Sequence, residues 1–256
     1  MLRAYGRTDK GRVRQTNEDA LGIDERQQLL VVADGMGGGG GGDVAARLAV
    51  DAVIRYVCRE SPAWNPRQLW PFGYDPSVSD VANVLRTSVH LADARIREAS
   101  KTTPALRGMG TTVVAALVHG TKLAVAHVGD SRFYLRSGDG VRCLTLDDSW
   151  LASVLASNPG AEPAALRDHP MRHAITNVVG VEPPARVHVT EALLFGGELL
   201  VLTTDGVHDV LDDDQIARVV EGGKSLSQIA DGLVRRALES GSHDNCTSLV
   251  GQYFPN

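Results

Sequence analysis

The stretch LLVVADGMGGGGGGDVAARLAVDAVIRYV, from Leu29 to Val57, joins an apolar run to a helical pattern through six consecutive glycines. A flexible linker is the simplest interpretation of such a run. Linkers connect domains, however, and these flanks are typical of one unit. The first flank is a buried strand that ends in Asp34, and the second is an amphipathic helix that starts near Asp43. We therefore predict that the glycines form a turn within a single domain.

The glycines also match the dinucleotide-binding pattern G-x-G-x-x-G, at Gly35, Gly37 and Gly40. Two observations argue against that function. Asp34 stands where it would repel a pyrophosphate, and a segment rich in Pro and Trp follows the helix in place of a second strand. A Walker A loop is excluded as well, because no Lys-Ser or Lys-Thr pair follows the glycines. The sequence therefore does not favour nucleotide binding.

The composition is that of an ordinary globular protein, and 256 residues can bury a sizeable core. A net charge of −5 argues against a nucleic-acid or anionic-membrane surface, but one Arg and a metal can still hold a phosphate. Three scattered cysteines, Cys58, Cys143 and Cys246, form no CxxC pair, so we expect reduced core thiols. The N-terminal residues carry no apolar signal segment, and no run of about 18 apolar residues is present. These features favour a cytoplasmic protein.

Short apolar runs bounded by turn residues predict antiparallel strands joined by tight turns. They occur in QLLVVADG, TTVVAALVHGTKLAVAHVGDSRFYLRSGDGVRCLTL, ARVHVTEALLFGGELLVLTTDG and CTSLVGQYF. Apolar residues at helical spacing predict helices over Asp43–Val57, Val81–Ala99, Ser149–Ser157, Asp213–Val220 and Leu226–Leu238. The segment SPAWNPRQLWPFGYDPS is expected to be an ordered surface insertion, because a solvated linker would not carry so many aromatic residues. This pattern predicts a layered body with the sheet inside and helices outside.

Acidic residues recur where apolar strands end: Asp34 in VVADG, Asp130 in AHVGDSR, Asp205 in VLTTDG and Asp244 in GSHDNCTSLV. Any one of them alone is typical of a turn or an N-cap, which is how we interpret Asp139 and the triple Asp at 212–214. Four at matching strand ends could instead converge on hard cations such as Mg²⁺ or Mn²⁺. A calcium loop of the EF-hand type does not fit, because no Gly or terminal Glu falls at the required offsets.

Seven short motifs follow one another along the chain, from about Gly6 to Val250. They are GxVRxxNED, ADGMGG, MGTT, HVGDSR, LTxDxS, TTDG and DNxT. In this order they are highly specific, and the chain resembles the metal-dependent Ser/Thr protein phosphatases of the protein phosphatase 2C family. The DGMGG motif and the compact length resemble the bacterial branch. The resemblance implies an α+β fold of two stacked antiparallel β-sheets flanked by helices, an αββα sandwich, in a single catalytic domain over residues 1–256.

The resemblance also implies a centre of two Mn²⁺ or Mg²⁺ ions. Asp34 is similar to the aspartate that bridges the two metals, and the carbonyl of Gly35 matches the oxygen that binds the second. Asp205 and Asp244 look like ligands of the first metal. These four positions therefore form the expected metal centre.

Further positions carry over on the same motifs. Glu18 and Asp19 would act through metal-bound waters, and Asp130 with Asp205 matches a weaker third metal site. Arg14 falls where the family's phosphate-binding arginine lies, and a guanidinium can bind two phosphate oxygens at once. Residues 147–180 correspond to a variable flap near the site, which is expected to influence the choice of substrate.

The implied reaction is hydrolysis of phosphoserine and phosphothreonine in proteins by a water that bridges two metal ions, without a phosphoenzyme. The expected catalytic residues are Arg14, Asp34 and Asp205. The expected partners are phosphorylated proteins, including a Ser/Thr protein kinase and its substrates, and we expect a monomer. The alternative is an inactive pseudophosphatase that binds phosphoproteins or a kinase. The intact Asp34, Asp205 and Asp244 argue against that alternative.

The chain departs from the family pattern where a general acid is expected. Many eukaryotic relatives carry His directly after Asp-Gly, where Met36 stands here, and bacterial relatives commonly carry His at the position of Gly39. The familiar sequence DHS is also changed, since Asp148 replaces its His. The general acid is therefore unassigned. Candidates by proximity to the motifs are His127, His173 and His243, although such residues are more often structural.

Overall fold

The computed structural model describes residues 1–37, 41–60, 70–158, 160, 166 and 169–255. Three segments named above lie wholly or partly outside the described residues. They are the middle of the glycine run with Gly39 (38–40), the first part of the aromatic segment with Trp64 (61–69), and parts of the predicted flap (159, 161–165 and 167–168).

Two antiparallel sheets form the centre of the molecule. The first contains, in spatial order, β1 (Leu2–Asp9), β11 (Cys246–Tyr253), β10 (Leu199–Thr203), β7 (Arg132–Ser137) and β8 (Gly140–Cys143). The second contains β2 (Asp19–Asp24), β3 (Leu29–Met36), β5 (Val113–His119), β6 (Lys122–Val128) and β9 (His188–Leu193), with the short β4 (Gly110–Thr111) paired to the end of β3. The predicted fold of two stacked antiparallel sheets is confirmed.

Strand β3 shows why the sheets stack. Successive side chains of a strand point to opposite faces. Leu30 and Val32 pack into the core between the two sheets, whereas Leu29, Val31 and Ala33 pack into a second core on the helical side. A strand buried on both faces is apolar throughout, which explains the uninterrupted run at the start of the opening stretch.

Helices cover the outer face of each sheet. Over the second sheet lie α1 (Gly41–Glu60) and α2 (Asp80–Thr102), and over the first lie α5 (Asp213–Gly222) and α6 (Leu226–Glu239). Two further helices are α3 (Trp150–Ser157) and the single turn α4 (Asp205–His208). Side-chain caps fix the starts of several helices, and Asp212 forms a capping box with Gln215 at α5. The predicted helices are confirmed, and Asp212 has the structural role expected of it.

Strands β1 and β2 were not predicted from the sequence. β1 is an edge strand whose pattern includes the charged Arg3 and Arg7 and the small Gly6, and β2 is mostly half-buried. Such strands lack the apolar run that marks the central strands. Both matter for function, because the segment between them carries Arg14 and Glu18.

The described half of the aromatic segment is ordered, as predicted. Trp70 packs against the core between α1, α2 and the second sheet, and its ring lies 5.5 Å from that of Tyr74. The ring of Phe72 stacks on His90 at 5.2 Å. These contacts hold residues 70–77 against α2.

All three cysteines are free thiols, as predicted. Only Cys246 belongs to the core, however, and Cys58 and Cys143 are half-buried, so the expectation of core thiols is wrong for those two. The Sγ of Cys58 lies 3.2 Å from the carboxylate of Asp24 on β2. In the described part of the chain, no helix is long and apolar enough to cross a membrane.

The start of α1 approaches the end of β3 more closely than any side chain would allow. A Cβ at Gly42 would lie 2.3 Å from Oε2 of Glu18 and 2.8 Å from the carbonyl carbon of Gly35. We predict that Gly42→Ala lowers the free energy of unfolding by about 1–3 kcal/mol, because the backbone must shift to relieve the overlap.

Chemical denaturation of the two proteins provides the measurement. The matched control is Gly138→Ala in the turn before β8, where a Cβ would meet nothing within 4 Å. The control should change stability by less than about 0.5 kcal/mol. Equal stabilities for the two variants would show that the helix start is not tightly packed.

Candidate active site

The carboxylates predicted at strand ends come together at one end of the two-sheet sandwich. Asp34 lies near the end of β3, directly opposite Asp19 on β2 in the sheet register. Asp205 follows β10 as the first residue of α4, and Asp244 precedes β11. Asp130 follows β6. Both sheets therefore contribute to one acidic cluster.

A cleft of about 660 Å³ opens above this cluster. Six of the residues predicted for the site line it: Arg14, Glu18, Asp34, Gly35, Asp205 and Asp244. Asp19 and Asp130 do not line the cleft but have carboxylate oxygens that are out of contact with solvent. The walls also include Val13, Ile175 and Val178, which sequence reasoning did not identify.

Threonine hydroxyl groups orient Asp19. Oδ2 of Asp19 accepts hydrogen bonds from Oγ1 of Thr204 at 3.0 Å and from Oγ1 of Thr247 at 2.6 Å. Its other oxygen, Oδ1, is buried and has no hydrogen-bond partner. Burial raises the pKa of Asp19 to about 7, against the effect of the two hydroxyl groups.

Thr111 and Thr112 hold the backbone of Asp34. Oγ1 of Thr112 accepts the Asp34 amide at 3.0 Å, and the Asp34 carbonyl accepts from Oγ1 of Thr111 at 2.9 Å. Oγ1 of Thr112 also lies 2.7 Å from Oγ of the buried Ser131, which gives that serine a structural role. Burial, followed by the charges of Asp19 and Asp205, holds the pKa of Asp34 well above its usual value.

Asp205 and Asp130 are also buried carboxyl groups with raised pKa values. Burial, followed by the charges of Asp209 and Asp244, raises the pKa of Asp205 to about 6. Burial and the charge of Asp205 raise the pKa of Asp130 to about 8. Each of these aspartates has a buried Oδ1 without a hydrogen-bond partner. Asp209 at the end of α4, which the sequence did not single out, adds a further carboxyl group whose pKa burial raises to about 6.

Asp244 has a cationic partner. Nη2 of Arg14 donates to Oδ2 of Asp244 at 2.5 Å, although 230 residues separate them in the sequence. The neighbouring Asn245 fixes the loop that carries Arg14. Its Nδ2 donates to the carbonyl groups of Lys10 and Thr16 at 2.8 and 3.0 Å, and its Oδ1 accepts the amide of Glu18 at 2.8 Å.

The donor set fits hard divalent cations. Among the described residues, no three acidic, His or Cys side chains already surround a single point, and Asp244 is engaged by Arg14 instead. Three carboxylate oxygens are nevertheless buried without a partner, on Asp19, Asp130 and Asp205. Burying a carboxylate in this way is costly unless a proton or a cation neutralises it. Oxygen ligands of this kind, together with waters, are those that Mg²⁺ and Mn²⁺ prefer.

The candidate general acids lie elsewhere. The buried His127 has Nε2 3.0 Å from the carbonyl of Leu146 and stacks on His188 at 5.0 Å, which is a structural role. Nδ1 of His173 lies 3.2 Å from Oδ2 of Asp209, and His243 is exposed beside Asp244. None of the three lines the cleft. The general acid therefore stays unassigned.

The altered DHS motif has a structural role. Asp147 accepts two hydrogen bonds from Arg132, at 2.9 and 2.7 Å. The buried Asp148 accepts from the amide of Gly129 at 3.0 Å and from Nδ2 of Asn177 at 2.7 Å, and it lies 2.9 Å from Nε2 of His188. These contacts attach the described part of the predicted flap to β7 of the first sheet and to β9 of the second. They place Ile175 and Val178 at the cleft.

Two stacked antiparallel sheets with helices outside, and a cleft that combines buried carboxylates with an arginine, define a metal-dependent phosphohydrolase. The sequence model of the family described as Protein phosphatase 2C matches residues 8–241, and the chain belongs to this family.

Relatives and solved structures agree with this assignment. The chain is 30% identical over 252 residues to a serine/threonine phosphatase, stp, of Listeria innocua, covering 97% of this chain and 95% of that protein. It superimposes with a TM-score of 0.83 and 29% identity on the crystal structure of the Mycobacterium tuberculosis serine/threonine phosphatase PstP, covering 100% and 99% of the two chains. A structure of the catalytic domain of PstP in complex with two manganese ions matches with a TM-score of 0.80 and 27% identity, covering 98% and 97%.

The raised carboxyl pKa values predict how the metal-free protein responds to pH. A carboxyl group whose pKa is higher in the folded state binds more protons there, so stability falls as pH rises toward the folded pKa. Buried histidines with lowered pKa values act in the opposite direction, but only below about pH 6.5. Between about pH 6.5 and 8.5 we therefore expect the free energy of unfolding to fall by at least about 1.4 kcal/mol, the equivalent of one pKa unit.

Denaturant titrations in the presence of chelator measure this slope. Asp130→Asn should flatten it, because the pKa of Asp130 is raised to about 8. Added Mn²⁺ should restore stability at the upper end of the range, because the cation replaces the lost protons. A flat or rising profile in the metal-free protein would contradict the description of this cluster.

Proposed function

We propose that this chain hydrolyses phosphoserine and phosphothreonine in proteins and depends on Mn²⁺ or Mg²⁺ held at the acidic cleft. One observation carries the proposal: three buried carboxylate oxygens without partners lie beneath a cleft that an arginine lines. Such a site can hold cations and bind a phosphate above them. No observation favours the pseudophosphatase alternative, since every predicted acidic residue is present at the cluster.

The metal ligands we propose are Asp34, the carbonyl of Gly35, Asp205 and Asp244, all of which line the cleft. When bound, the cations supply Lewis-acid activation of the attacking water and offset charge on the phosphoryl oxygens. Glu18 and Asp19 act through waters. The hydroxyl groups that hold Asp19 support this role, because they leave one carboxylate oxygen available.

A third, weaker metal site is proposed at Asp130 with Asp205. The support is electrostatic and geometric: Asp130 has a buried oxygen without a partner, and Asp205 raises its pKa. Asp209 contributes negative charge at the same place. A cation would neutralise this region.

Arg14 binds the phosphate. Its side chain is 57% exposed and reaches into the cleft, where it now pairs with Asp244. Asp244 would exchange Arg14 for a cation, which leaves the guanidinium available for phosphate oxygens. Arg14 thereby neutralises Asp244 when no metal is bound, and it orients the substrate when metal is bound.

The physiological partners we propose are phosphorylated proteins, among them a Ser/Thr kinase and its substrates, met by a monomeric enzyme in the cytoplasm. The family supports the class of substrate, and three free thiols agree with a reducing compartment. The hydrophobic Ile175 and Val178 beside the cleft would contact the residues that flank the phosphorylated side chain.

Loss of a proposed metal ligand tests the centre. We predict that Asp205→Asn and Asp244→Asn each lower kcat on a phosphothreonine peptide with Mn²⁺ by at least about 100-fold, because each removes a charge that holds a cation. The exposed Asp139→Asn is the matched control and should keep its activity within about twofold. Near-normal rates in either cleft variant, with an unchanged circular dichroism spectrum, would refute the assignment.

Replacement of the proposed phosphate ligand tests Arg14. Arg14→Ala should raise KM for the phosphopeptide by about 10-fold or more and lower kcat less, because the cations still contact the phosphate. Arg14→Lys should recover only part of the loss, since it cannot make two parallel hydrogen bonds. Steady-state kinetics at saturating Mn²⁺ provide the test, with Arg3→Ala as control. An unchanged KM in Arg14→Ala would exclude phosphate binding by this residue.

A further inference from the structure

Five arginines lie along a groove that runs from the edge of the active site to the outer helices. The near part is a cleft of about 410 Å³ between β1, the following loop and α6, lined by Arg7 and Arg12. The far part is a cleft of about 480 Å³ between α5 and α6, lined by Arg218 and Arg236. Asp231 and Arg235 line both clefts, so the two clefts are adjacent. We call these five residues the arginine track.

The near end of the track is fixed beside the active site. Arg12 lies two residues before Arg14, on the loop that Asn245 holds. Gly11 of this loop has a φ of +77° and packs so tightly on Asp244 that a Cβ would lie 2.3 Å from its carbonyl oxygen. The start of the track therefore lies two residues from the arginine that we propose binds the phosphate.

The track carries a local excess of positive charge. Three carboxylates face the five guanidinium groups, which leaves two positive charges uncompensated on a chain whose net charge is −5. These carboxylates already have partners within the protein. Asp9 accepts from the amide of Gly11 and from Arg7, and Asp231 accepts from the hydroxyl of Tyr5 at 3.3 Å. The third, Glu239, lies 4.0 Å from Arg235 in an exposed pair.

Three of the arginines are available for a ligand. The side chains of Arg12, Arg218 and Arg236 are exposed and form neither an ion pair nor a hydrogen bond with any described residue. Between them, the helices pack closely at Gly232, where a Cβ would lie 3.2 Å from Val219. The small residues Gly222 and Gly223 line the same end of the groove. The groove thus combines exposed guanidinium groups with small lining residues, which leave space for an extended polypeptide.

We propose that the arginine track binds a run of Asp or Glu residues in the phosphoprotein substrate, at a distance from the phosphorylated residue. This inference rests on the proposed function, because the acidic run belongs to the same polypeptide as the phosphate. Charge complementarity selects the occupant. A long polyanion or an anionic membrane suits the surface less well, because the interspersed carboxylates and the net charge of the chain repel an extended negative surface.

The test compares phosphothreonine peptides that differ only in an appended segment. One carries a run of Asp and Glu that begins about six residues from the phosphothreonine, which spans about 20 Å when extended. The other carries the corresponding Asn and Gln residues. Each segment is placed on the N-terminal or on the C-terminal side in separate peptides, and p-nitrophenyl phosphate measures basal activity.

The acidic run should lower KM by about 5- to 10-fold at low salt on one side of the phosphothreonine, with kcat unchanged, since several exposed ion pairs each contribute modestly. Salt of about 0.5 M should remove most of the advantage. The advantage should also disappear in Arg218→Glu/Arg236→Glu, while turnover of p-nitrophenyl phosphate stays the same. Arg95→Glu/Arg142→Glu, which changes the net charge equally at exposed positions elsewhere, should retain the advantage.

A direct binding measurement separates this inference from the proposed function. Fluorescence anisotropy of the acidic peptide without its phosphate should show binding to the wild-type protein and weaker binding to Arg218→Glu/Arg236→Glu. The absence of this binding, or an advantage that survives in Arg218→Glu/Arg236→Glu, overturns the track as a docking site. The inference is also overturned if the track arginines bind anionic vesicles while the protein shows no preference between the acidic and the neutral peptide. Failure of the wild-type protein to hydrolyse any of the phosphopeptides would count against the proposed function alone, because binding is measured without turnover.

Discussion

Mutual repulsion among buried carboxylates is the constraint on which this structure depends. Asp19, Asp34, Asp130 and Asp205 lie near one another where water is excluded, and burial raises the pKa of each. Folding therefore places negative charge where it is least stable. In the absence of cations, protons and the Arg14–Asp244 pair offset part of that charge. A protein that kept such a cluster without binding metal would lose stability and gain no function.

The two sheets and the tight backbone contacts explain how the cluster is held. Each carboxylate lies at or next to a strand end, so the hydrogen-bonded pairing of the strands fixes the position of its backbone. Hydroxyl groups of Thr204 and Thr247 then set the orientation of Asp19. Glycines allow the surrounding loops to approach. A Cβ at Gly35 would lie 2.0 Å from the carbonyl oxygen of Gly42, and one at Gly206 would lie 2.0 Å from that of Asn245. The backbone around the site is therefore tightly packed, which suits a centre that must position charges before substrate arrives.

The sequence predicted the central strands and the helices from apolar spacing, because these elements are buried on at least one full face. It did not predict β1 or β2, whose exposed and charged positions resemble a loop. Strand-end position alone suggested Asp34, Asp130, Asp205 and Asp244, whereas the stacking of the sheets and the roles of Arg14 and Glu18 came from the family resemblance.

Other features of the site could not be predicted because they depend on tertiary packing. The pair between Arg14 and Asp244 joins residues that are distant in sequence, and the raised pKa of Asp209 arises from its burial beside α4. Thr112, Thr204 and Thr247 stand in the motifs MGTT, TTDG and DNxT, so the signal was present. Their role required the positions of their hydroxyl groups. The arginine track combines residues from β1, a loop and two helices, and no local pattern indicates it.

Proton release on metal binding tests the central claim most directly. If cations replace protons on the buried carboxylates, calorimetric titration of the metal-free protein with Mn²⁺ near neutral pH should release protons. The measured heat should then change with the ionisation enthalpy of the buffer. The account predicts at least two bound Mn²⁺ ions and a net release of protons that decreases as pH rises. If Mn²⁺ binds and no protons are released anywhere between about pH 6 and pH 8, these carboxylates are already ionised in the metal-free protein. That result would contradict the account.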